Sequence, residues 1–380
     1  MIGIVPFIIT ISLTSPEQSN ASFPFEDVVM LTRPDQFVKT GESSISPTGR
    51  QVVFQAVPMP PEGESPESHY SMYLADLVQR EEAPRWSLDN IRRLSPEASA
   101  NTCGSFHPLF EDRVIFATTI EPPGGSDTSG YQRDKRYDRR DVPSEMRIVE
   151  TRTDGDLPAA LRYLEGDEEA YQAECSISPD GRHLLYMSME SGDGDIFVKD
   201  LETGERHRVL SSPGYDGDSF FSPDGKRICY RSDRNGDDAL QIFVSDLAFN
   251  EAGTITGIER EFQITDNGRV NWAPFWHSSG RYLVYSSSEA ADDSHEIYIA
   301  DADAGSPPTD RPARYGTRTA RVTNASGFDG FPAFDADSKM MIWTSQRADG
   351  TSQLFITEFP DDPEIFFFTP KEAPPSAEPH

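Results

Sequence analysis

The residues of this chain best placed to do chemistry are five carboxylates and an amide that recur at fixed distances from a turn motif. The motif reads Ser46-Pro47-Thr48-Gly49, Ser178-Pro179-Asp180-Gly181 and Ser222-Pro223-Asp224-Gly225. Looser copies stand at His107-Pro108-Leu109-Phe110, His277-Ser278-Ser279-Gly280 and Asp335-Ala336-Asp337-Ser338. Seven residues before the Pro position come Thr40, Asn101, Gln172, Asp216, Asn271 and Asp329, all polar. Five residues before it come Glu42, Cys103, Glu174, Asp218, Ala273 and Phe331. Positions two apart on a strand share a face. Both sets are therefore expected to line one mouth, with Glu42, Glu174, Asp216, Asp218, Asn271 and Asp329 as its binding residues. Such a ring suits a hard cation such as calcium, which takes several oxygen ligands. It equally suits a basic peptide end or loop. A hydrolase or lyase is the third possibility, since glycosidases need two carboxylates at a set separation. The fourth is a water-filled acidic funnel with no specific ligand. Where carboxylates crowd, some should titrate high unless a cation is present.

The turn belongs to a unit that recurs six times, and that repeat must position the ring. After each turn comes a β-rich strand: Gln51–Ala56, Arg113–Thr118, His183–Ser188, Arg227–Ser232, Tyr282–Ser287 and Met340–Ser345. Their aromatic and β-branched content is what a half-buried strand needs. A third strand follows at residues 71–77, 145–151, 195–201, 241–247, 296–302 and 353–359. An outer strand is expected at Val28–Thr32, Arg92–Ser95, Leu161–Glu165, His207–Ser211, Glu261–Thr265 and Ala320–Thr323. Repeats of this length indicate propellers or solenoids. The expected fold is all-β, a six-bladed β-propeller of four-stranded antiparallel blades. The first strand is an outer one and the last a third one, so Val28–Thr32 is expected to close the ring against Gln353–Phe359. Two residues before the Pro position stand Ile45, Phe106, Ile177, Phe221, Trp276 and Phe334, which should pack between blades.

The segments Gly214–Ser232 (GYDGDSFFSPDGKRICYRS) and Gly327–Arg347 (GFDGFPAFDADSKMMIWTSQR) resemble the WD40-like repeats of bacterial TolB-type propellers. The resemblance covers about Val28–Phe359. It implies the fold, and it implies a binding or scaffold role of the kind such propellers serve. TolB itself carries an α/β domain before its propeller and none is expected here, so TolB's own role is not carried over. The sequence has no G-x-S-x-G elbow, H-E-x-x-H, P-loop or dinucleotide fingerprint in strand–helix context. His107 and His277 sit where other copies have Ser and read as turn residues.

The formal net charge of −30 argues against nucleic acid or an anionic membrane, which require clustered Lys and Arg. The apolar run Ile2–Leu13 is too short to span a bilayer. With the small-x-small pattern at Ser19–Ala21 it reads as a signal peptide over residues 1–21, although no Lys or Arg precedes it. The propeller is expected at 22–360 and a disordered tail at 361–380. Insertions stand at Pro58–His69, Glu121–Ser144 and Asp303–Thr319. The second holds a basic-aromatic run from Tyr131 to Arg140. Loops on a rigid scaffold are where binding tends to live. Cys103, Cys175 and Cys229 show no CxxC spacing. A Cys103–Cys175 disulfide is geometrically conceivable, with three buried thiols the alternative. The leading expectation is a monomeric, non-enzymatic binding or scaffold protein of the bacterial periplasm or cell exterior. Its partner would be a protein or peptide with basic character, and no stable membrane insertion is expected once the signal is removed. No cofactor is expected other than an axial calcium ion. Substitution of Glu174→Gln together with Asp218→Asn is expected to abolish binding and spare the fold.

Overall fold

A computed structural model describes residues 25, 27–124, 143–166, 170–236, 239–291, 294–302 and 318–367. The expected leader lies outside the described residues, as do residues 125–142, 303–317 and 368–380.

Among the described residues, twenty-four strands form six four-stranded antiparallel sheets. Blade 1 comprises Phe37–Ile45, Gln51–Pro58, Ser71–Gln79 and Trp86–Arg93. Blade 2 comprises Asn101–His107, Phe110–Thr118, Arg147–Arg152 and Leu161–Glu165. Blade 3 comprises Gln172–Ile177, His183–Ser188, Asp195–Asp200 and Arg206–Leu210. Blade 4 comprises Asp216–Phe221, Arg227–Ser232, Gln241–Phe249 and Ile255–Gln263. Blade 5 comprises Asn271–Trp276, Tyr282–Ala291, Ser294–Asp301 and Thr319–Arg321. Blade 6 comprises Asp329–Phe334, Met340–Ser345, Gln353–Glu358 and the N-terminal Val29–Met30. There Val29 faces Ile356 and Met30 faces Phe355. Thr32 Oγ1 donates to Gln353 Oε1 at 2.8 Å. A 3-10 turn, Pro363–Phe367, lies over this junction, with Phe366 packed on Phe25 and Phe359.

The apolar residues two positions before each Pro position bind the blades together. Phe106 packs with Val53, Met72 and Leu74 of blade 1, and Phe221 with Leu185, Ile196 and Val198 of blade 3. Ile45, Ile177, Trp276 and Phe334 each belong to the corresponding cluster at the next junctions. Full burial of one such side chain contributes roughly 1.5–3 kcal/mol. Each ring junction therefore carries its own core.

The turns explain themselves. Gly181 N donates to Ser178 O, and the Ser178 hydroxyl accepts from His183 N, both at 2.8 Å. The fourth position has positive φ in five copies: Gly49, Gly181, Gly225, Gly280 and Ser338. Glycine adopts that region without steric cost, and Ser338 takes it at φ 55°. At His107 and His277 the ring Nδ1 accepts a backbone N–H two residues on, whereas the Ser hydroxyls of the other copies accept from N–H groups four or five residues on.

Two outer strands differ from expectation. They run Trp86–Arg93 and Ile255–Gln263 rather than Arg92–Ser95 and Glu261–Thr265. Each extends a long hairpin with the third strand beyond the ring. The added residues include Trp86, Leu88 and Ile91 in blade 1 and Ile255 and Ile258 in blade 4, which pack on the adjoining cores and lie before the stretches counted from the repeat.

Candidate functional site

A β-bulge interrupts every innermost strand between the two polar rings. The register shifts between Thr40 and Ser43, Thr102 and Ser105, Ala173 and Ser176, Gly217 and Phe220, Trp272 and Phe275, and Gly330 and Ala333. Five of the six residues at the bulge take left-handed φ: Cys103, Glu174, Asp218, Ala273 and Phe331, all between 50° and 56°. A bulge re-aims a side chain. The two-residue alternation is broken, and the rings do not share a face. Glu42, Cys103, Glu174, Asp218, Ala273 and Phe331 line an axial cavity of ≈ 420 Å³, whose lining continues to Pro47, Pro108, Pro179, Pro223 and Ser278 in the turns. These six residues are the floor of a channel that opens on the turn face. Left-handed φ at non-glycine residues costs about 1 kcal/mol or more each. Because Ala273 and Phe331 share it, the strain belongs to the architecture rather than to one chemistry.

Asp216, Asn271 and Asp329 are not at this floor, contrary to expectation. All three are fully or almost fully buried and bonded within the blades. Asp329 accepts from Arg347 Nη2 at 2.6 Å and from Trp343 Nε1 at 3.2 Å. Asp216 accepts from Ser212 N at 3.0 Å and lies 3.4 Å from Arg234 Nη2. Burial pushes the Asp216 carboxyl up to about 6, with hydrogen bonding from Ser232 and the Arg234 charge opposing. Asn271 Nδ2 donates to Arg269 O and its Oδ1 accepts from Ser287. A signal for this role was present. The two blades with Asp at this position carry Arg two residues after the second strand's closing Ser (Ser232, Arg234; Ser345, Arg347). The copies with Gln172 and Asn271 carry Glu190 and Glu289 there instead.

The floor is stitched from blade to blade. Asp218 N donates to Glu174 Oε2 at 2.6 Å, and Ala273 N donates to Asp218 Oδ2 at 3.0 Å. Each carboxylate thereby satisfies the bulge N–H of the next blade, which would otherwise be an unpaired buried donor. Arg231, which sequence reasoning missed, lies behind them with its side chain 5% exposed. Its Nη2 donates to Glu174 Oε1 at 2.8 Å, and its Nη1 lies 3.4 Å from Asp218 Oδ2. The Tyr215 hydroxyl also donates to Glu174 Oε1. The guanidinium stands over the Tyr215 and Trp272 rings, 5.1 and 5.8 Å from their centroids. Among the six equivalent positions (Gln55, Ala117, Met187, Arg231, Ser286, Thr344) only Arg231 is charged. That exception was the readable sign of a buried counter-ion. Glu174 and Asp218 are thus part of the fold. The expectation that removing both leaves the ring intact is withdrawn, because it would leave Arg231 buried without its carboxylates.

Glu42 differs. Arg231 pairs with Glu174 and Asp218, and Glu42 forms no ion pair among the described residues. Burial, reinforced by Asp218 and opposed by the hydrogen bond with the Cys103 thiol, pushes the Glu42 carboxyl up to about 8. Asp218 is pushed up to about 6 by burial, with Arg231 opposing and Glu174 reinforcing. The Cys103 thiol is driven well above its ordinary value by burial and by Glu42, so it stays protonated. All three cysteines are free, and Cys103, which lines the channel, is only half-buried. Among the described residues no group of three or more His, Cys, Asp and Glu is arranged to hold a metal ion.

The channel wall is two-sided. Three residues before the Pro position, blades 1 to 3 contribute Ser44, Ser105 and Ser176, whereas blades 4 to 6 contribute Phe220, Phe275 and Ala333; Phe106 of blade 2 and Ser222, Ser278 and Ser338 of blades 4 to 6 also line the cavity. Phe220 and Phe275 are 5.2 Å apart, and Phe275 meets Phe334 at 6.4 Å. No helix of the described chain is long and apolar enough to cross a membrane.

Residues 167–305 match the TolB beta propeller domain, PD40. No curated protein matches the sequence. The fold is similar to that of TolB from Acinetobacter baumannii, with a TM-score of 0.54 and 14% identity over 82% of this chain and 64% of that one. The chain therefore spans less than two thirds of that relative. A putative TolB from Agrobacterium tumefaciens is similar at TM-score 0.52 and 16% identity, over 84% of this chain and 90% of that one. An oligogalacturonate lyase from Vibrio parahaemolyticus follows at TM-score 0.49 and 13% identity, over 88% and 94%, a likeness too distant to speak for chemistry. These identities speak for the fold alone. By its repeats and its sheet topology this chain is a six-bladed β-propeller, and residues 167–305 of it match the TolB beta propeller domain.

Proposed function

We propose that the protein is a non-enzymatic binding propeller of the bacterial periplasm or cell exterior, acting as a monomer. It would hold a segment of a protein or peptide partner, basic in character, in the axial channel and at the rim. The observation that carries this reading is the channel itself: an apolar, partly aromatic wall leading to an acidic floor, opening on the turn face. A pocket of a few hundred Å³ with few convergent polar groups is the usual form of a binding site. Export rests on the leader-like N-terminal run, and the basic partner on the acidic floor and the net charge of −30.

A peptide-library selection tests it. Peptides enriched on the unaltered protein should carry Lys, Arg or a free amino terminus beside apolar residues. Their binding should weaken on the Glu42→Gln variant. Enrichment of acidic or charge-free peptides, or selected peptides indifferent to Glu42→Gln, would overturn the reading.

One observation favours a hydrolase or lyase as the second reading. Glu42 holds a proton near neutrality beside the ionisable Asp218, as a general acid and its partner do. That reading requires turnover of a substrate that Glu42→Gln abolishes without weakening substrate binding.

A further inference from the structure

We propose that the inner end of the channel is a built site for one primary ammonium group carried on an apolar stem, with Glu42, Ser43 and Ser105 receiving the ammonium and Phe220, Phe275 and Phe331 receiving the stem. The inference rests on the reading of the channel as a binding surface and names the chemistry that surface selects.

Three facts point to a compact cation. First, the floor holds three carboxyl groups, Glu42, Glu174 and Asp218, and one guanidinium, Arg231, which is committed to the latter two. Second, Glu174 and Asp218 already accept backbone N–H groups of the next blade, whereas Glu42 meets the next blade through the Cys103 thiol. Third, the hydroxyls of Ser43 and Ser105 have no hydrogen-bond partner, although both residues line the cavity and Ser43 is only 8% exposed. A buried hydroxyl without a partner carries a desolvation cost that a donor from a ligand would relieve. An ammonium offers three donors from one point, which suits separate acceptors around one spot. A guanidinium needs a planar, two-pronged partner, and in this floor Glu174 and Asp218 already serve Arg231 in that capacity. The aromatic half of the wall then gives the ligand its orientation, stem toward blades 4 to 6 and charge toward blades 1 and 2.

The groups facing Glu42 are Asp218, Glu174, Arg231 and Cys103, with Tyr70 beside it and Lys39 over the Tyr70 ring at 4.6 Å. Because Glu42 holds its proton at neutral pH, an arriving ammonium should displace that proton. Binding should therefore release protons and tighten as the pH rises through the Glu42 titration, until the amine itself deprotonates.

Calorimetry on the unaltered chain with n-hexylamine, n-hexanol and n-hexanoate is the test, run in two buffers of different ionisation heat. The amine should bind with proton release, at least about tenfold tighter than the alcohol, and hexanoate should not bind. Glu42→Gln should abolish the proton release and cost the amine about tenfold or more while leaving the alcohol unchanged. Equal affinity for amine and alcohol, or amine binding unaffected by Glu42→Gln, would overturn the inference. Should that variant not fold, the comparison on the unaltered chain decides alone. A one-lysine peptide and its ε-acetylated form separate the sources. Competition by the first only assigns a polypeptide lysine, and competition by neither assigns a free amine. Peptides that bind in the channel while hexylamine does not would sink this inference and leave the broader reading standing.

Discussion

Arg231→Met should be among the most damaging single substitutions in the ring. The guanidinium is buried and lies 2.8 Å from Glu174 and 3.4 Å from Asp218. At an effective dielectric of about 20, two unit charges about 4 Å apart attract by roughly 4 kcal/mol. Burying the three groups costs several kcal/mol per ion, so the assembled network stabilises the fold little. Deleting the cation alone is different, because two carboxylates remain in place without it. The cost of breaking such a buried pair from one side is about 3–5 kcal/mol. Methionine fills a similar volume, so a cavity adds little. The assay is urea unfolding of the unaltered protein and the variant, near pH 7.5 and near pH 5 (about three and about one unit above ordinary carboxylate values). The sign of the pH effect follows from proton uptake. Arg231 opposes the upward push of burial on Asp218, so without it Asp218 should titrate further above its unfolded value and the folded variant binds the extra proton. Its stability then rises as the pH falls, and the gap to the unaltered protein should narrow at the lower pH. Adding Glu174→Gln to Arg231→Met should recover part of the loss. A cost below about 1 kcal/mol, the scale of an exposed pair, or a gap that widens on acidification, would refute the reasoning.

Three further outcomes are expected. Gly217→Ala should cost about 1–3 kcal/mol in denaturant unfolding, since its Cβ would lie 2.2 Å from Glu174 Oε2 and 2.8 Å from the Tyr215 ring; Gly257→Ala, with nothing within 4 Å, should not destabilise. Asp329→Ala should cost roughly 2–4 kcal/mol by orphaning Trp343 Nε1 and Arg347, yet leave amine affinity unchanged in calorimetry. In the unaltered protein Glu42 and Asp218 have folded values of about 8 and about 6, raised above the ordinary 4.5 and 3.8. Their contribution to stability is thus full at acidic pH and is lost as the pH rises through those folded values; a series of urea midpoints should show that component, and its absence in Glu42→Gln isolates the larger part.

The blades were legible because three signals ran together: a turn, clear in three copies and looser in three, an apolar strand after it, and a large apolar residue directly before it. Phe106, Phe221 and Trp276 were placed between blades by counting alone, and the six inter-blade clusters contain them and their equivalents. The site was legible only in part. Counting found Glu42, Glu174 and Asp218 together with Asp216, Asn271 and Asp329, but it presumed an unbroken strand. The bulge between the two sets is carried by left-handed φ at Cys103, Glu174, Ala273 and Phe331, residue types whose local preferences give no hint of it. The tertiary ring imposes that geometry, so no local pattern could announce it. Arg231 and the Asp–Arg pairs of blades 4 and 6 were within reach of a comparison among the copies, because each departs from its equivalents in the direction of charge compensation. The N-terminal pairing of Val29 and Met30 with the last full strand shows how the ends of the chain complete blade 6.

Cys103 offers the most direct measurement of the central claim, that ligands enter the channel from the turn face and reach its acidic floor. It lines that floor and is half-buried, whereas Cys175, which also borders the cavity, and Cys229 are buried. Because burial and Glu42 hold the Cys103 thiol protonated, labelling of the folded protein with a small methanethiosulfonate reagent should be slow, yet it should reach Cys103 before Cys175 and Cys229. A saturating channel ligand, hexylamine or a selected peptide, should slow that modification markedly without altering the global unfolding transition. Labelling of Cys103 at the same rate with the ligand bound, or labelling of Cys229 ahead of Cys103, would contradict the account.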